Sequence, residues 1–262
     1  MPNFAANLSM MYTEIDFLDR FAAAARHGFR GVEFLFPYAY RPTEIADRLR
    51  ADDLTLALHN MPPGDWEGGE RGLACLPDRV GEFRDGVGKA LDYVTALGGK
   101  LLHCMAGNRP DGVPEARLRE TYVANVRYAA DEAKKRGVAI VLEPINTRDM
   151  PRYFLNYSRQ ALELIDESGS DNLFLQYDIY HMQIMQGDLA RTIEENLPRI
   201  AHMQLADNPG RNEPGTGEIN YPFLFEHVDR IGYRGWIGCE YKPRAGTEAG
   251  LGWAKPYLTP RR

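Results

Sequence analysis

Four carboxyl or amide groups stand at the ends of four successive apolar runs in the second half of the chain. Ile140-Val141-Leu142 runs into Glu143, and Phe174-Leu175-Gln176-Tyr177 into Asp178. Ile200-Ala201-His202-Met203 runs into Gln204, and Trp236-Ile237-Gly238-Cys239 into Glu240. Each end group can bind a cation or move a proton. Taken singly, each is as well explained as a strand cap or as the partner of a loop Arg or Lys. Four in consecutive units point instead to one shared site. Three acids held that close repel one another strongly, and burial would drive them to take up protons. A divalent cation removes the conflict. An all-oxygen set made of Glu143, Asp178, Gln204 and Glu240 suits Mg²⁺, with Mn²⁺ as the second choice, better than zinc.

Histidines form a second set. His59 ends an apolar run, and His181 follows Asp178 by three, so both are expected at the mouth, bonded to a substrate oxygen. His27, His103 and His227 read as structural, and His202, inside its apolar run, as core. Arg211 and Lys242 supply positive charge near the same ends. Lys242 follows Glu240 by two, so strand alternation turns it the same way. Glu33 and Asn7, at earlier strand ends, are weaker candidates for substrate contact. Residues 60–79 are rich in Gly and Pro and carry Trp66, and a loop of that length reads as a lid.

These groups need a scaffold that converges strand ends. Apolar runs predict strands at 4–8, 31–34, 54–58, 101–105, 138–143, 173–178, 200–204 and 236–241. Helices are expected near 14–27, 43–50, 80–97, 114–136, 158–168, 180–185, 189–196, 221–231 and 247–253. In the first of these, Ile15, Leu18, Phe21, Ala22 and Ala25 fall at helical spacing. The strands lack strict alternation, as expected of strands buried on both faces. Eight strand–helix units, with no linker between them, predict one α/β domain over residues 1–262, a (β/α)8 or TIM barrel with its chemistry at the C-terminal strand ends. A doubly wound open sheet would need a glycine-rich phosphate turn. No GxGxxG follows the first strand and no P-loop occurs, so no nucleotide cofactor is expected.

Composition narrows the partners. Apolar residues make up 44% of the 262, enough for a large core, and charged residues 26%. With 31 basic and 37 acidic residues the net charge is −6, which argues against a nucleic-acid-gripping role. A small anionic substrate remains compatible, as does a homo-oligomer. Cys75, Cys104 and Cys239 are isolated, which fits a reducing compartment. The N-terminus lacks a basic-then-apolar signal, and no run of about 18 apolar residues predicts a membrane span. The cytoplasm is the expected location.

Several longer motifs carry a family resemblance. Asn7-Leu8-Ser9-Met10, Gly31-Val32-Glu33-Phe34-Leu35-Phe36-Pro37-Tyr38, Gly64-Asp65-Trp66, Gly69-Glu70-Arg71-Gly72, Glu213 through Tyr221, and Gly238-Cys239-Glu240-Tyr241-Lys242-Pro243 resemble the hydroxypyruvate isomerase family of xylose-isomerase-like TIM barrels. The resemblance covers nearly the whole chain. It implies interconversion of hydroxypyruvate and 2-hydroxy-3-oxopropanoate, with Glu143 and Glu240 as the catalytic pair. One would remove a proton from the hydroxyl-bearing carbon, a metal would offset the enediolate charge, and the other would return the proton. Related ketose epimerases hold a divalent metal at positions matching Glu143, Asp178, Gln204 and Glu240, many with His where Gln204 stands. Their substrate-binding positions resemble Asp178-x-x-His181 and Arg211. The sibling 2-oxo-tetronate isomerases share the opening Phe4 to Met11 and the closing Gly235 to Arg244, whereas 142–146 and 177–181 favour hydroxypyruvate. Two rivals remain. A DNA-repair nuclease on this barrel would need a His-rich zinc cluster and a basic groove, at odds with six histidines and the net charge. A non-catalytic sugar-binding barrel would tolerate loss of the strand-end acids.

Overall fold

A computed structural model describes residues 1–258. Its centre is a closed barrel of eight parallel strands in sequential order, as the eightfold pattern predicted. The strands are β1 (Asn3–Asn7), β2 (Gly31–Phe34), β3 (Thr55–Asn60), β4 (Leu101–His103), β5 (Ala139–Leu142), β6 (Leu173–Asp178), β7 (Ile200–Leu205) and β8 (Trp236–Cys239). Closure comes from β1 lying parallel to β8, with Asn3 opposite Trp236 and Ala6 opposite Cys239. Around the barrel lie α1 (Arg20–Arg26), α2 (Pro42–Ala51), α3 (Val80–Ala96), α4 (Glu115–Lys134), α5 (Ser158–Ser168), α6 (Ile179–Met185), α7 (Leu189–Asn196), α8 (Tyr221–Arg230) and α9 (Thr247–Gly250). Among the described residues no helix is long and apolar enough to cross a membrane.

The main core lies between strands and helices. Ile140 and Leu142 of β5 pack into it. Period-two alternation therefore turns Val141 and Glu143 to the barrel interior. The α4 helix buries Leu118, Tyr122, Val126, Ala129 and Ala133, spaced to form one apolar stripe against that layer. The α6 helix starts on a site residue. Asp178 is its N-cap, and its Oδ1 accepts the N–H groups of Tyr180 at 2.7 Å and His181 at 3.2 Å.

Two expectations about elements need correction. The helix read over 14–27 begins only at Phe17, as a 3-10 turn leading into α1. Glu14 is taken out of it, because its carboxylate accepts the backbone N–H of Thr247 at 2.8 Å. Ile15 is consequently exposed and not part of the core. Strand β3 also runs further than its apolar run suggests. It extends to Asn60, whose N–H donates to Leu35 O at 2.9 Å, and an extra residue at Ala57, where the register with β2 passes from Val32–Leu56 to Glu33–Leu58, reverses the alternation and decides where His59 points.

The long 60–79 segment is tied to its neighbours. Glu70 accepts the N–H of Asp65 at 2.6 Å and pairs with Arg79 at 2.7 Å. Gly72, at φ 110°, runs against Met105, where a Cβ would fall 2.4 Å from a backbone oxygen. Arg71 stacks on Trp66 at 4.0 Å, and Trp66 leans on Phe36 at a ring distance of 5.0 Å. The lid candidate is therefore a buttressed wall beside the barrel mouth.

Candidate active site

The C-terminal ends of β5, β6 and β8 bring Glu143, Asp178 and Glu240 together, as the repeating run-then-acid pattern demands. With His181 they form one buried group, and one ligand atom from each of the four lies within 4.8 Å of all the others. Ionised carboxylates at that separation repel by roughly 3 kcal/mol per pair at an effective dielectric of about 20. The strain is visible in their proton affinities. Burial, then the charges of Glu240 and Asp178, hold the Glu143 carboxyl well above the usual range. Burial lifts Glu240 to about 8 against the pull of Arg211. Asp178 is lifted to about 6 by burial, with Arg211 and the two α6 N–H groups restraining it.

Arg211 is the cation already present. Its Nη2 donates to Glu240 Oε2 at 2.7 Å, its Nη1 lies 3.5 Å from Asp149 Oδ2, and its guanidinium sits 5.1 Å from the Tyr180 ring centre. It reaches in from a loop held by Asp207, whose carboxylate accepts the N–H groups of Gly215, Gly217 and Ile219. The Arg211 backbone takes the left-handed conformation, φ 52°, which for a non-glycine residue costs about 1–3 kcal/mol. Its carbonyl is fastened by the Lys242 N–H at 2.7 Å. One arginine does not satisfy three carboxylates. Glu143 Oε1 and Asp178 Oδ2 are buried with no hydrogen-bond partner among the described residues. Unpaired carboxylate oxygens facing one another fit a divalent cation that takes oxygen ligands.

Gln204 lies opposite Asp178 in the β6–β7 register. Its Nε2 donates to Glu33 Oε1 at 2.8 Å, and its Oε1 accepts from Gln176 Nε2 at 2.6 Å. The amide is thus oriented from below, and its oxygen keeps a second lone pair. Glu33 and Asn7 lie in this lower layer. Glu33 also accepts from Asn7 Nδ2 at 2.9 Å and bonds His202 Nε2 at 2.7 Å. Gly238 makes room for it, since a Cβ there would sit 2.1 Å from the Glu33 carboxylate. Glu33 therefore serves as floor, and His202 as interior packing.

A cavity of about 460 Å³ opens above the cluster. Glu143, His181, Arg211, Glu240 and Lys242 supply polar lining, together with His103 and Ser9. Met10, Phe36, Trp66, Met105, Ile145 and Met150 supply apolar lining. Lys242 stands exposed at the rim, and no carboxylate pairs with its ammonium among the described residues. His181 Nε2 lies 3.8 Å from Glu143 Oε1 and 3.7 Å from Asp178 Oδ2. Burial, then Arg211, keep this ring well below the usual histidine range.

Two histidines exchange places relative to the sequence reading. His59, expected to bind substrate, is turned away from the cavity. Its register partners Phe34 and Leu102 belong to the outer core, and its ring stacks on Phe34 at 6.1 Å. The extra β3 residue hands the mouth to Asn60 instead. His103, read as structural, lines the cavity with Nε2 3.5 Å from Glu143 Oε2. Burial, then His202, lower it to about 3, so the ring is neutral there. Its signal was parity. It pairs with Val141, two residues before Glu143.

A closed parallel barrel with a buried acidic cluster at its C-terminal mouth defines a TIM-barrel enzyme scaffold. The chain belongs to the xylose isomerase-like TIM barrel family, which it matches over residues 21–257. It is 55% identical to a 2-oxo-tetronate isomerase of Cupriavidus necator, over 98% of this chain and 99% of that one. It is 52% identical to the hydroxypyruvate isomerase of Escherichia coli, over 98% and 100%. A crystal structure from Brucella melitensis, named AP endonuclease family 2, superposes with a TM-score of 0.97 at 49% identity, over 99% and 100% of the two chains. The relatives named as isomerases bear out the reading of this chain as an isomerase.

Proposed function

We propose that this protein interconverts hydroxypyruvate and 2-hydroxy-3-oxopropanoate by moving a proton between adjacent carbons. The observation that carries this reading is the meeting of Glu143 and Glu240 in one buried acidic cluster. The 52% identity to an enzyme named hydroxypyruvate isomerase supports it. Glu143, Asp178, Gln204 and Glu240 would hold a divalent ion, Mg²⁺ before Mn²⁺. Bound there, it supplies positive charge that offsets negative charge developing on the substrate oxygens.

The chain's own residues do the rest. One glutamate takes the proton from the hydroxyl-bearing carbon, and the neighbouring carbonyl oxygen gains a proton, giving an enediol. The other glutamate delivers a proton to the former carbonyl carbon, while the hydroxyl on the first carbon gives one up and becomes the new carbonyl. Atoms and oxidation level balance within the molecule, so no nicotinamide is required. Lys242 and Arg211 hold the substrate carboxylate, and His181 bonds a substrate oxygen. The reading takes the protein as one barrel domain acting in the cytoplasm on a small hydroxy-keto acid, with no nucleic acid or membrane partner.

A second substrate has a specific observation behind it, the 55% identity to a 2-oxo-tetronate isomerase. That compound carries the same hydroxy-keto-carboxylate centre with a hydroxymethyl group in place of one hydrogen. Assaying both compounds side by side, with chelator and after Mg²⁺ is restored, tests the reading. Turnover of hydroxypyruvate that disappears with chelator and returns with Mg²⁺ is expected. No turnover of either compound with Mg²⁺ present would overturn it.

A further inference from the structure

Asn146, buried at the end of the Glu143-Pro144-Ile145-Asn146 run, has no role in the proton transfer just described, yet it touches the site. Its amide orientation is fixed on both sides. Oδ1 accepts the backbone N–H groups of Arg148 at 2.9 Å and Asp149 at 2.8 Å. Nδ2 donates to Asp149 Oδ2 at 3.1 Å. Turning the amide over would set an NH₂ group against two N–H donors and an oxygen against a carboxylate. Nδ2 must therefore also be the donor in its 2.6 Å contact with His181 Nδ1.

We infer that Asn146 is a positioning residue, which by donating to Nδ1 keeps the His181 proton on Nε2 and so makes His181 a hydrogen-bond donor to the substrate instead of a metal ligand. A neutral imidazole has one donor and one acceptor nitrogen. With Nδ1 accepting, Nε2 carries the hydrogen and has no lone pair for a cation. The atoms around Nε2 agree. Glu143 Oε1 and Asp178 Oδ2, 3.8 Å and 3.7 Å away, are both acceptors lacking partners. Among the described residues the donor bonded nearest, Arg211 Nη2, is 3.5 Å off and already gives its 2.7 Å bond to Glu240. At 2.6 Å against 3.5 Å, the Asn146 contact sets the tautomer. Proximity alone places His181 in the metal cluster, and its hydrogen takes it out. The ligand set proposed above, with the Gln204 amide oxygen as its fourth member, then needs nothing from His181. The proposal rests on the isomerase reading only for what the hydrogen is offered to.

The test is the ¹⁵N spectrum of the histidine rings in the free protein, with His181 assigned by the signal lost in His181→Gln. The expected pattern is a pyridine-type Nδ1 and a pyrrole-type Nε2, unchanged when Mg²⁺ saturates the site. In Asn146→Asp the new carboxylate still accepts the two N–H groups but faces Nδ1 with an acceptor. There Nδ1 should become protonated, and kcat should fall about a hundredfold, the cost of one misdirected donor. In His181→Gln, Mn²⁺ affinity should change less than about threefold, under 1 kcal/mol. A protonated Nδ1 in the wild-type protein, or loss of the Nε2 proton on adding Mg²⁺, overturns the inference even if Asn146→Asp does not fold. Because the spectrum needs no substrate, an unchanged tautomer with no isomerase activity would overturn the functional reading alone.

Discussion

Two buried carboxylate layers sit one above the other in the same barrel, and they behave oppositely. In the lower layer Glu33, 1% exposed, is bonded by Asn7, Gln204 and His202. In the upper layer Glu143 and Asp178, 4% and 0% exposed, each keep an oxygen with no hydrogen-bond partner among the described residues. Burial is the same, so burial does not mark function. What separates the layers is satisfaction. A carboxylate whose lone pairs are filled by the protein is structure, and one left unfilled against like charge is waiting for a cation or a substrate.

The contrast yields predictions, the largest first. Glu143→Gln and Glu240→Gln should each lower isomerase kcat by about 10³-fold or more, as loss of a proton-transfer group does. The melting temperature of Glu143→Gln should hold or rise, because a repelling charge is removed, whereas that of Glu240→Gln should fall, because buried Arg211 loses its 2.7 Å partner. Glu33→Ala should act more on stability than on turnover. It strands three buried donors and should cost about 3–5 kcal/mol of stability by denaturant titration, while kcat of the folded fraction at saturating Mg²⁺ should fall far less than in the two glutamine variants, Glu33 reaching the site only through the Gln204 amide.

Stability against pH should separate the layers next. The upper carboxyls have folded proton affinities raised above their unfolded ones, with Asp178 near 6 and Glu240 near 8. A raised group stabilises fully below its unfolded pKa and loses that contribution as pH climbs through the folded value. The metal-free protein should therefore lose melting temperature between about pH 4.5 and 8, and saturating Mg²⁺ should flatten the decline. A flat profile without metal would mean that the upper layer is satisfied after all. Lys242→Ala should raise KM about tenfold with little change in kcat, reporting loss of one charge at the rim. The smallest effect is expected at His59→Phe, which keeps the stack on Phe34. Its kcat should stay within about twofold, and a larger loss would return His59 to the site.

Much of this was legible in the chain, for a physical reason. A strand buried on both faces reads as an apolar run, and the first polar residue after it marks the mouth. Glu143, Asp178 and Glu240 each stand there and meet in one buried group, so barrel and cluster follow from one pattern. Side-chain direction was harder to read. One residue more in β3 reverses His59, and no composition signal announces it. His103 lies inside an apolar run, where only its register with Val141 reveals that it faces inward. Satisfaction cannot be read from sequence, because the partners of Glu33 come from β1 and β7, far along the chain. The role of Asn146 is hidden for the same reason. Its partner lies 35 residues away on α6.

The central claim is that Glu143 and Glu240 move the proton, and hydroxypyruvate turnover in D₂O followed by NMR tests it most directly. Solvent deuterium should appear at the proton-accepting carbon with the wild-type protein, and neither Glu143→Gln nor Glu240→Gln should form product at a comparable rate. Turnover with complete retention of the transferred hydrogen, or near-normal turnover in either variant, would contradict the account.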